Sequence, residues 1–385
     1  MTKPELTRFT FRCFVVYAGA IALFAQAGPS PIGLFSGNDD VGTVLHKGSA
    51  QFDSSSKTYT LTGSGENLWA AEDDFHFVWK KVSTSDVTLA AGISILGMLG
   101  DNHRKALLMI RQSLDPDSPY VDIAVHGDGL TSLQFRDEKG GLTHEIESSQ
   151  YAPKRLQIEK RHDRFYIWIG RDEHDLQFAG GSTTLALSAP YYVGIGVCAH
   201  DKNAIQQAAF SNVDLNTTDR SANDLPASYS TLETINVQST DARVSYVTQT
   251  QIEAPVWSQD GASLIFYLAG KPQRVPVSLY VSGHPASAAA SVTPEAVPPE
   301  MAPPLTASNA SDDRYSRVSP DGSQIVFLTY PNDADNGNAV LSVMSVADKK
   351  TRVLAKLKGG QGTLGAHPWS PDGKRVAFVS YQSFD

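Results

Sequence analysis

The chain has 385 residues, 41% hydrophobic and 19% charged, enough to bury a large core and to make two or three domains. A formal net charge of −9 excludes the basic balance of a nucleic-acid binder, and no clustered Lys/Arg stripe offsets it. Two cysteines, Cys13 and Cys198, cannot make a disulfide framework, so stability has to come from burial.

Residues 1–27 read as a secretory signal. Lys3, Arg8 and Arg12 form a basic start, Phe14 to Phe24 an apolar run of 11 residues, and Ala25-Gln26-Ala27 a small-residue cleavage site. The run is shorter than the roughly 20 apolar residues of a membrane anchor. Cleavage before Gly28 is expected, with a periplasmic or secreted location and no membrane span in the mature chain. Removing three basic residues and one acidic residue takes the charge from −9 to −11 and leaves Cys198 as the lone thiol.

From about Gly33 to Leu215 the chain is a succession of short alternating runs separated by turn clusters. "DVTLAAGISIL" (Asp86 to Leu96), "YVDIAVHG" (Tyr120 to Gly127) and "RFYIWIG" (Arg164 to Gly170) are examples. Period two and the β-branched and aromatic content predict strands that each bury one face, hence an all-β sandwich. The order of "FHFVWKKVSTSDVTLAAGIS" (Phe75 to Ser94), "KALLMIRQ" (Lys105 to Gln112), "KRLQIEKRHDRFYIWIG" (Lys154 to Gly170) and "YYVGIGVCAHDKNAIQQAAFSNVDL" (Tyr191 to Leu215) resembles the concanavalin A-like jelly-roll module of glycosidases and secreted bacterial proteins. That resemblance implies two curved antiparallel sheets over 28–215, the concave one a face that in some relatives binds carbohydrate.

"NTTDRSANDLPASYS" (Asn216 to Ser230) has no apolar period and reads as a linker. After it "VWSQDGASLIF" (from Val256), "RVSPDGSQIVF" (from Arg317) and "PWSPDGKRVAF" (from Pro368) repeat a strand, a Ser-x-Asp-Gly turn and a second strand ending in Phe. Pro presets φ, Asp tolerates left-handed backbone, and Gly supplies positive φ. Phe266, Phe327 and Phe378 are then expected to pack between neighbouring sheets. The repeats resemble blades of TolB-like periplasmic β-propellers, which implies a scaffold or binding module with a protein partner and no catalysis of its own.

Thr231 to Gln238 and Ala242 to Gln249 read as the outer half of a blade whose inner half is the C-terminal hairpin, so the two ends of 231–385 are expected to pair. Asp260, Asp321 and Asp372 are 61 and 51 residues apart, whereas a blade takes about 40–45. The first interval contains His284 to Asp313, a Pro/Ala-rich stretch expected to be disordered. Three blades remain, a reduced or partial propeller, since closed rings have about 4–8.

Catalytic motifs are sparse. A glycosidase needs two carboxyls about 5–10 Å apart, and Glu72, Asp73 and Asp74 in "AEDDFHF" read instead as a solvated turn. Neither a Gly-x-Ser-x-Gly elbow nor a phosphate-binding Gly-rich loop occurs, so an exported, non-enzymatic protein without a cofactor is expected. The competing class is a glycoside hydrolase or a metal-dependent hydrolase on the jelly roll. His103, His126 and His200 lie near strand ends but show no metal-ligand spacing, and each also reads as a loop histidine hydrogen-bonded at a turn.

The expected ligand is a carbohydrate or cell-envelope polymer, and the candidates for binding it are Trp79, Arg111, Tyr120, His126, Gln134, Arg136 and His200. On a concave sheet, rings suit sugar faces and guanidinium donors suit hydroxyls. For Trp79 the alternative is core packing, and for Arg136 a pairing with a neighbouring carboxylate. Joint replacement of Arg111 and Trp79 by alanine is expected to abolish glycan retention with little change in thermal stability.

Overall fold

A computed structural model describes residues 31–172, 174–219, 228–277, 294–297, 316–330, 338–359 and 363–382. All regular structure among them is β, as the alternating pattern predicts. The signal segment lies outside the described residues.

Two facing sheets build the first half. One runs, in spatial order, Leu176–Thr184, Arg164–Gly170, Arg155–Arg161, Asp86–Leu96, Gln206–Asn216, Thr58–Gly63 and Ser49–Asp53. The other begins Gly37–Val41, Phe75–Val82, Tyr191–Cys198, Lys105–Arg111, Tyr120–His126, Thr131–Arg136 and His144–Glu147. Between them Val78, Leu108, Ile110 and Ile123 meet Leu89, Ile158, Ile167 and Phe210 in the main core. The strand Lys105–Arg111 is buried on both faces, because Leu107 and Met109 join a second cluster with Phe75, Phe77 and Leu68 on the side away from that core. Leu68 belongs to a short hairpin, Leu68–Trp69 paired with Glu72–Asp73, that covers this side.

The second sheet continues beyond the jelly roll. Ala242–Thr248 adds in parallel to His144–Glu147, with Ile146 opposite Ala242 and Glu147 opposite Arg243, and the Arg243 guanidinium pairs with the Glu147 carboxylate. Tyr229–Asn236 and then Arg375–Gln382 follow, completing a ten-stranded sheet. The ends of the repeat region therefore do meet: Tyr229 pairs with Gln382, and the antiparallel ladder runs to Asn236 opposite Arg375. On the other edge of the tail strand, Ala377 N donates to Pro368 O (2.7 Å) and Val379 N to Thr363 O (2.9 Å). The expected first strand of the terminal hairpin is reduced to a single bridge, Trp369 to Val376.

Two four-stranded sheets flank this tail sheet. One contains Ile252–Trp257, Ser263–Leu268, Lys271–Pro276 and Glu295–Ala296; the other contains Ser316–Val318, Gln324–Thr329, Asn338–Ser345 and Thr351–Lys358. Leu232, Ala377 and Val379 on one face of the tail sheet pack on Leu264 and Phe266. On its opposite face Ile235, Val376 and Phe378 pack on Val326, Leu328 and Leu341.

Each repeat turn is closed in the same way. Ser258, Ser319 and Ser370 donate through Oγ to Asp260, Asp321 and Asp372 at 2.6 Å. Gly261, Gly322 and Gly373 take φ of 70°, 74° and 68°, the left-handed conformation that the turn requires. Trp257 Nε1 donates to Pro368 O (2.8 Å), and Trp369 Nε1 to Arg317 O (3.0 Å). Each tryptophan so clasps the equivalent strand of the next sheet.

Three expectations need correction. Phe266 and Phe378 pack between sheets, but Phe327 is only half-buried while its neighbours Val326 and Leu328 face the tail sheet. The two flanking sheets lie on opposite sides of the tail sheet, so opposite parities point inward. Within the stretch expected to be disordered, Glu295–Ala296 pairs with Arg274 and Gln273, and Val297 N donates to Pro272 O (3.3 Å). These bonds need only main chain, so a strand pattern is dispensable there; the rest of His284–Asp313 except residue 294 lies outside the described residues. The linker is also ordered at both ends. Asp219 accepts from the backbone N–H groups of Ser85 (3.0 Å) and Asp86 (3.1 Å), and Tyr229 and Ser230 already belong to a strand.

Candidate functional site

Strand register brings Arg111, Tyr120 and Arg136 side by side on the face away from the main core. All three are fully buried, because Asp73 of the covering hairpin sits on them. Arg136 meets its carboxylate through Nη2 at 2.7 Å and Nη1 at 3.0 Å, and Arg111 through Nη2 at 3.3 Å. The other guanidinium donors reach loop carbonyls: Arg111 those of Ser113 and Asp115 (2.6 Å each), Arg136 those of Ala70 (2.9 Å) and Ser118 (3.0 Å). These are charge-assisted bonds that tie loops to the sheet. They turn no donor toward solvent.

The carboxylate partner weighed for Arg136 is thus found, and the solvated reading of the acidic turn fails at Asp73, which is 0% exposed. Alanine at Arg111 would remove one of the two cations on buried Asp73 and the donor to the Ser113 and Asp115 carbonyls, so the expectation of unchanged stability is also corrected.

The other candidates are dispersed. Tyr120 hydrogen-bonds Thr143 Oγ1 at 3.1 Å, and Trp79 is half-buried edge-to-face on Tyr192, with ring centroids 5.2 Å apart. Gln134 accepts from Lys105 Nζ (3.2 Å) and donates to Glu145 Oε1 (2.9 Å). His126 is buried with Nδ1 3.1 Å from Leu130 O, and burial drives its pKa well below the usual range. The His200 imidazole, half-buried 3.6 Å from Asp101, is lowered for the same reason.

The fold also gathers what the sequence spacing kept apart. The His103 ring lies 5.9 Å from that of His126 and 5.3 Å from that of His200. Among the described residues no three His, Cys, Asp or Glu side chains form a metal-holding group, so the metal-dependent hydrolase gains no site here.

A cavity of about 290 Å³ lies where the jelly roll meets the tail sheet and the second flanking sheet. Phe135, Ile235, Leu354 and Phe378 give it apolar walls, and Ser182, Thr183, Thr184, Thr240 and Ser380 bring hydroxyl-bearing residues to it. In its lining is Glu233, 5% exposed. Glu233 stands opposite Phe378 in the ladder and shares its strand face with Ile235, a position that the alternation reserves for an apolar residue. The pairing with Ala242–Thr248 shifts register here: Leu232 stands opposite Tyr246 and Glu233 opposite Val244, which leaves Ser245 of that strand as the extra residue of a bulge.

Ser380 Oγ donates to Glu233 Oε1, the only hydrogen bond to this carboxyl among the described residues. Behind it Gln382 Nε2 donates to Ser380 Oγ (2.7 Å), and Thr231 Oγ1 donates to Gln382 Oε1 (2.9 Å). Burial pushes the Glu233 carboxyl up to about 8, against the smaller opposing effect of Ser380. Near neutrality it is a protonated acid able to donate as well as accept. Sequence reasoning missed Glu233; the available signal was a carboxylate at an inward parity between Thr231 and Ile235 in "TLETIN".

A second groove, about 520 Å³, shares Ser182, Thr183, Thr184, Lys356 and Leu357 with the cavity and reaches His162 and Arg164.

No family model matches the chain. It is 35% identical over 77 residues to the uncharacterized protein Atu1656 of Agrobacterium fabrum, a match that covers 19% of this chain and 26% of that protein's length. Among solved structures, a functionally unknown protein from Saccharomyces cerevisiae matches with a TM-score of 0.37 and 17% identity over 46% of this chain and 97% of that one. A putative TolB from Agrobacterium tumefaciens gives 0.29 and 18% over 41% and 99%. The family 7 alginate lyase A1-II' gives 0.31 and 8% over 45% and 82%. The expectation that the chain is not an enzyme is overturned by this comparison, because several matched structures are alginate lyases. Every TM-score is below 0.5, so the functional reading rests on the chain's own geometry.

Proposed function

We propose that this chain is an exported saccharide-binding protein whose ligand occupies the cavity between the jelly roll and the blades. One observation carries the reading: Glu233 is buried and raised to about 8 in the lining of a cavity that combines ring and aliphatic walls with five hydroxyl-bearing residues. A convergent polar set in an apolar cavity is the general pattern of a small-ligand site, and about 300 Å³ is the lower end of the usual size. Sugars present apolar ring faces and a rim of hydroxyls that both donate and accept. A protonated carboxyl beside Ser380 and Ser182 answers that rim. The blades offer their exposed apolar side chains, Val318 at 59% and half-buried Phe327, to a protein partner.

A glycan array probed with the wild-type chain and Val353→Trp tests the cavity. Val353 lines it but is 48% exposed, so a bulky ring there fills space without overpacking the core. Binding by the wild type and its loss in a variant of unchanged Tm is the expected result. Array signal retained by Val353→Trp would place any saccharide elsewhere.

A further inference from the structure

Resting on the saccharide reading of the same cavity, we propose that its ligand carries a primary ammonium group, as an amino sugar with an unsubstituted amine does, and that this cation seats against Glu233.

The charges lining the cavity are uneven. Asp137 and Glu145 on the jelly-roll side join Glu233, while the basic groups are Lys356 from the second flanking sheet and His144. Lys356 is an exposed residue that makes no ion pair with Glu233 among the described residues, and His144 is engaged with Thr240 Oγ1 at 3.2 Å. The strands Leu176–Thr184 and Arg375–Gln382 bring hydroxyls to the cavity and no charge. Glu233 therefore sits at depth with no cation beside it. Nothing but Ser380 opposes the effect of burial on its carboxyl.

An uncharged ligand leaves Glu233 protonated. An ammonium in contact reverses the preference, because opposite charges attract strongly where water is excluded. The carboxyl then loses its proton to solvent, the ligand keeps its own, and an ion pair replaces a neutral acid. The three N–H donors of the ammonium meet the Glu233 carboxylate and the oxygens of Ser380 and Ser182, both cavity-lining. A ligand bearing a carboxylate would face three carboxyls instead.

Calorimetric titration of the full chain with a glucosamine disaccharide and with its N-acetylated counterpart, at pH 6.5 in two buffers of different ionisation heat, tests the assignment. The amine form should bind at least about ten-fold more tightly and release close to one proton, since a group of pKa about 8 is almost fully protonated at that pH. Glu233→Gln, which keeps a partner for Ser380, should lose both the preference and the proton release, so that the amine and acetylated sugars bind it with affinities within about two-fold of each other. Equal affinities for the two sugars, or tight amine binding without proton release, would overturn the ammonium assignment and leave the saccharide reading standing. Binding of other saccharides on the array but of neither probe would also overturn it. Absence of all saccharide binding would remove the reading beneath it as well.

Discussion

Glu233→Gln separates a strained ionisable group from a merely polar one, and its effect on stability can be worked out from burial. The carboxyl has an ordinary value of 4.5 and is pushed up to about 8 in the fold. Because the folded value is raised, the native state holds a proton between pH 4.5 and 8 that the unfolded chain has already released. The stability from this site is therefore largest below pH 4.5 and is lost progressively as pH rises toward 8. The two values lie about 3.5 pH units apart, each worth about 1.4 kcal/mol, which sets an upper figure of about 5 kcal/mol. Water entering the cavity reduces it, and about 2–5 kcal/mol is the working expectation.

Gln is neutral throughout and preserves the Ser380 contact, so the stability difference between variant and wild type isolates Glu233 from the other groups that titrate. Urea unfolding followed by tryptophan fluorescence at pH 5, 6, 7, 8 and 8.5 should show the variant gaining on wild type across the series. A difference that stays flat within about 0.5 kcal/mol would mean that Glu233 is hydrated and unperturbed, and the argument from its burial would fail.

Two further outcomes follow from the packing. Asp73→Asn leaves Arg111 and Arg136 buried without their counter-charge and should cost about 3–5 kcal/mol, read as a lowered urea midpoint at pH 7; a loss under about 1 kcal/mol would show that the hairpin is not anchored by that carboxylate. Gly322→Ala meets no atom within 4 Å, so its cost is the left-handed φ of 74° alone, about 1 kcal/mol, seen as a drop of a few degrees in Tm. An unchanged Tm there would refute the turn assignment.

Much of the fold was legible because alternation and turn chemistry are local. Ser258, Asp260 and Gly261 declare a turn whatever surrounds them, and the hydrogen bonds within each repeat bear this out. The pairing of tail and post-linker strands was legible for a different reason: strand edges must be satisfied, and few edges were available to satisfy them. What local pattern cannot give is the far partner of a long side chain. Arg111 and Arg136 look alike as outward-pointing donors on a sheet, and only the fold brings Asp73 down onto both. The sequence separation of 38 residues for one contact and 63 for the other carries no signature. The concave-face reading therefore found residues of the right chemistry at the right register and missed that the chain covers them itself.

Phe327 and Glu233 expose the same limit from opposite directions. An eleven-residue repeat predicts equal roles for Phe266, Phe327 and Phe378, yet the tail sheet lies between the two flanking sheets, so moving along the arc the Phe-bearing face always points to the next sheet. Phe266 meets the tail sheet and Phe378 meets the second flanking sheet. Phe327 lies on the last of the three, where Val318 also stands at the position that Trp257 and Trp369 fill in the other copies. The tryptophan clasp and the phenylalanine contact therefore stop together, at one sheet. Glu233 obeys the complementary rule: it occupies an inward parity that would be apolar in a closed stack, and it is tolerated because the jelly roll and the second flanking sheet meet over that part of the strand, leaving a cavity for a polar group to line. The two departures thus have one kind of cause, what lies across each strand: among the described residues no further sheet faces Phe327, and the post-linker strands that carry Glu233 join the edge of a jelly-roll sheet at Ile146 and Ala242.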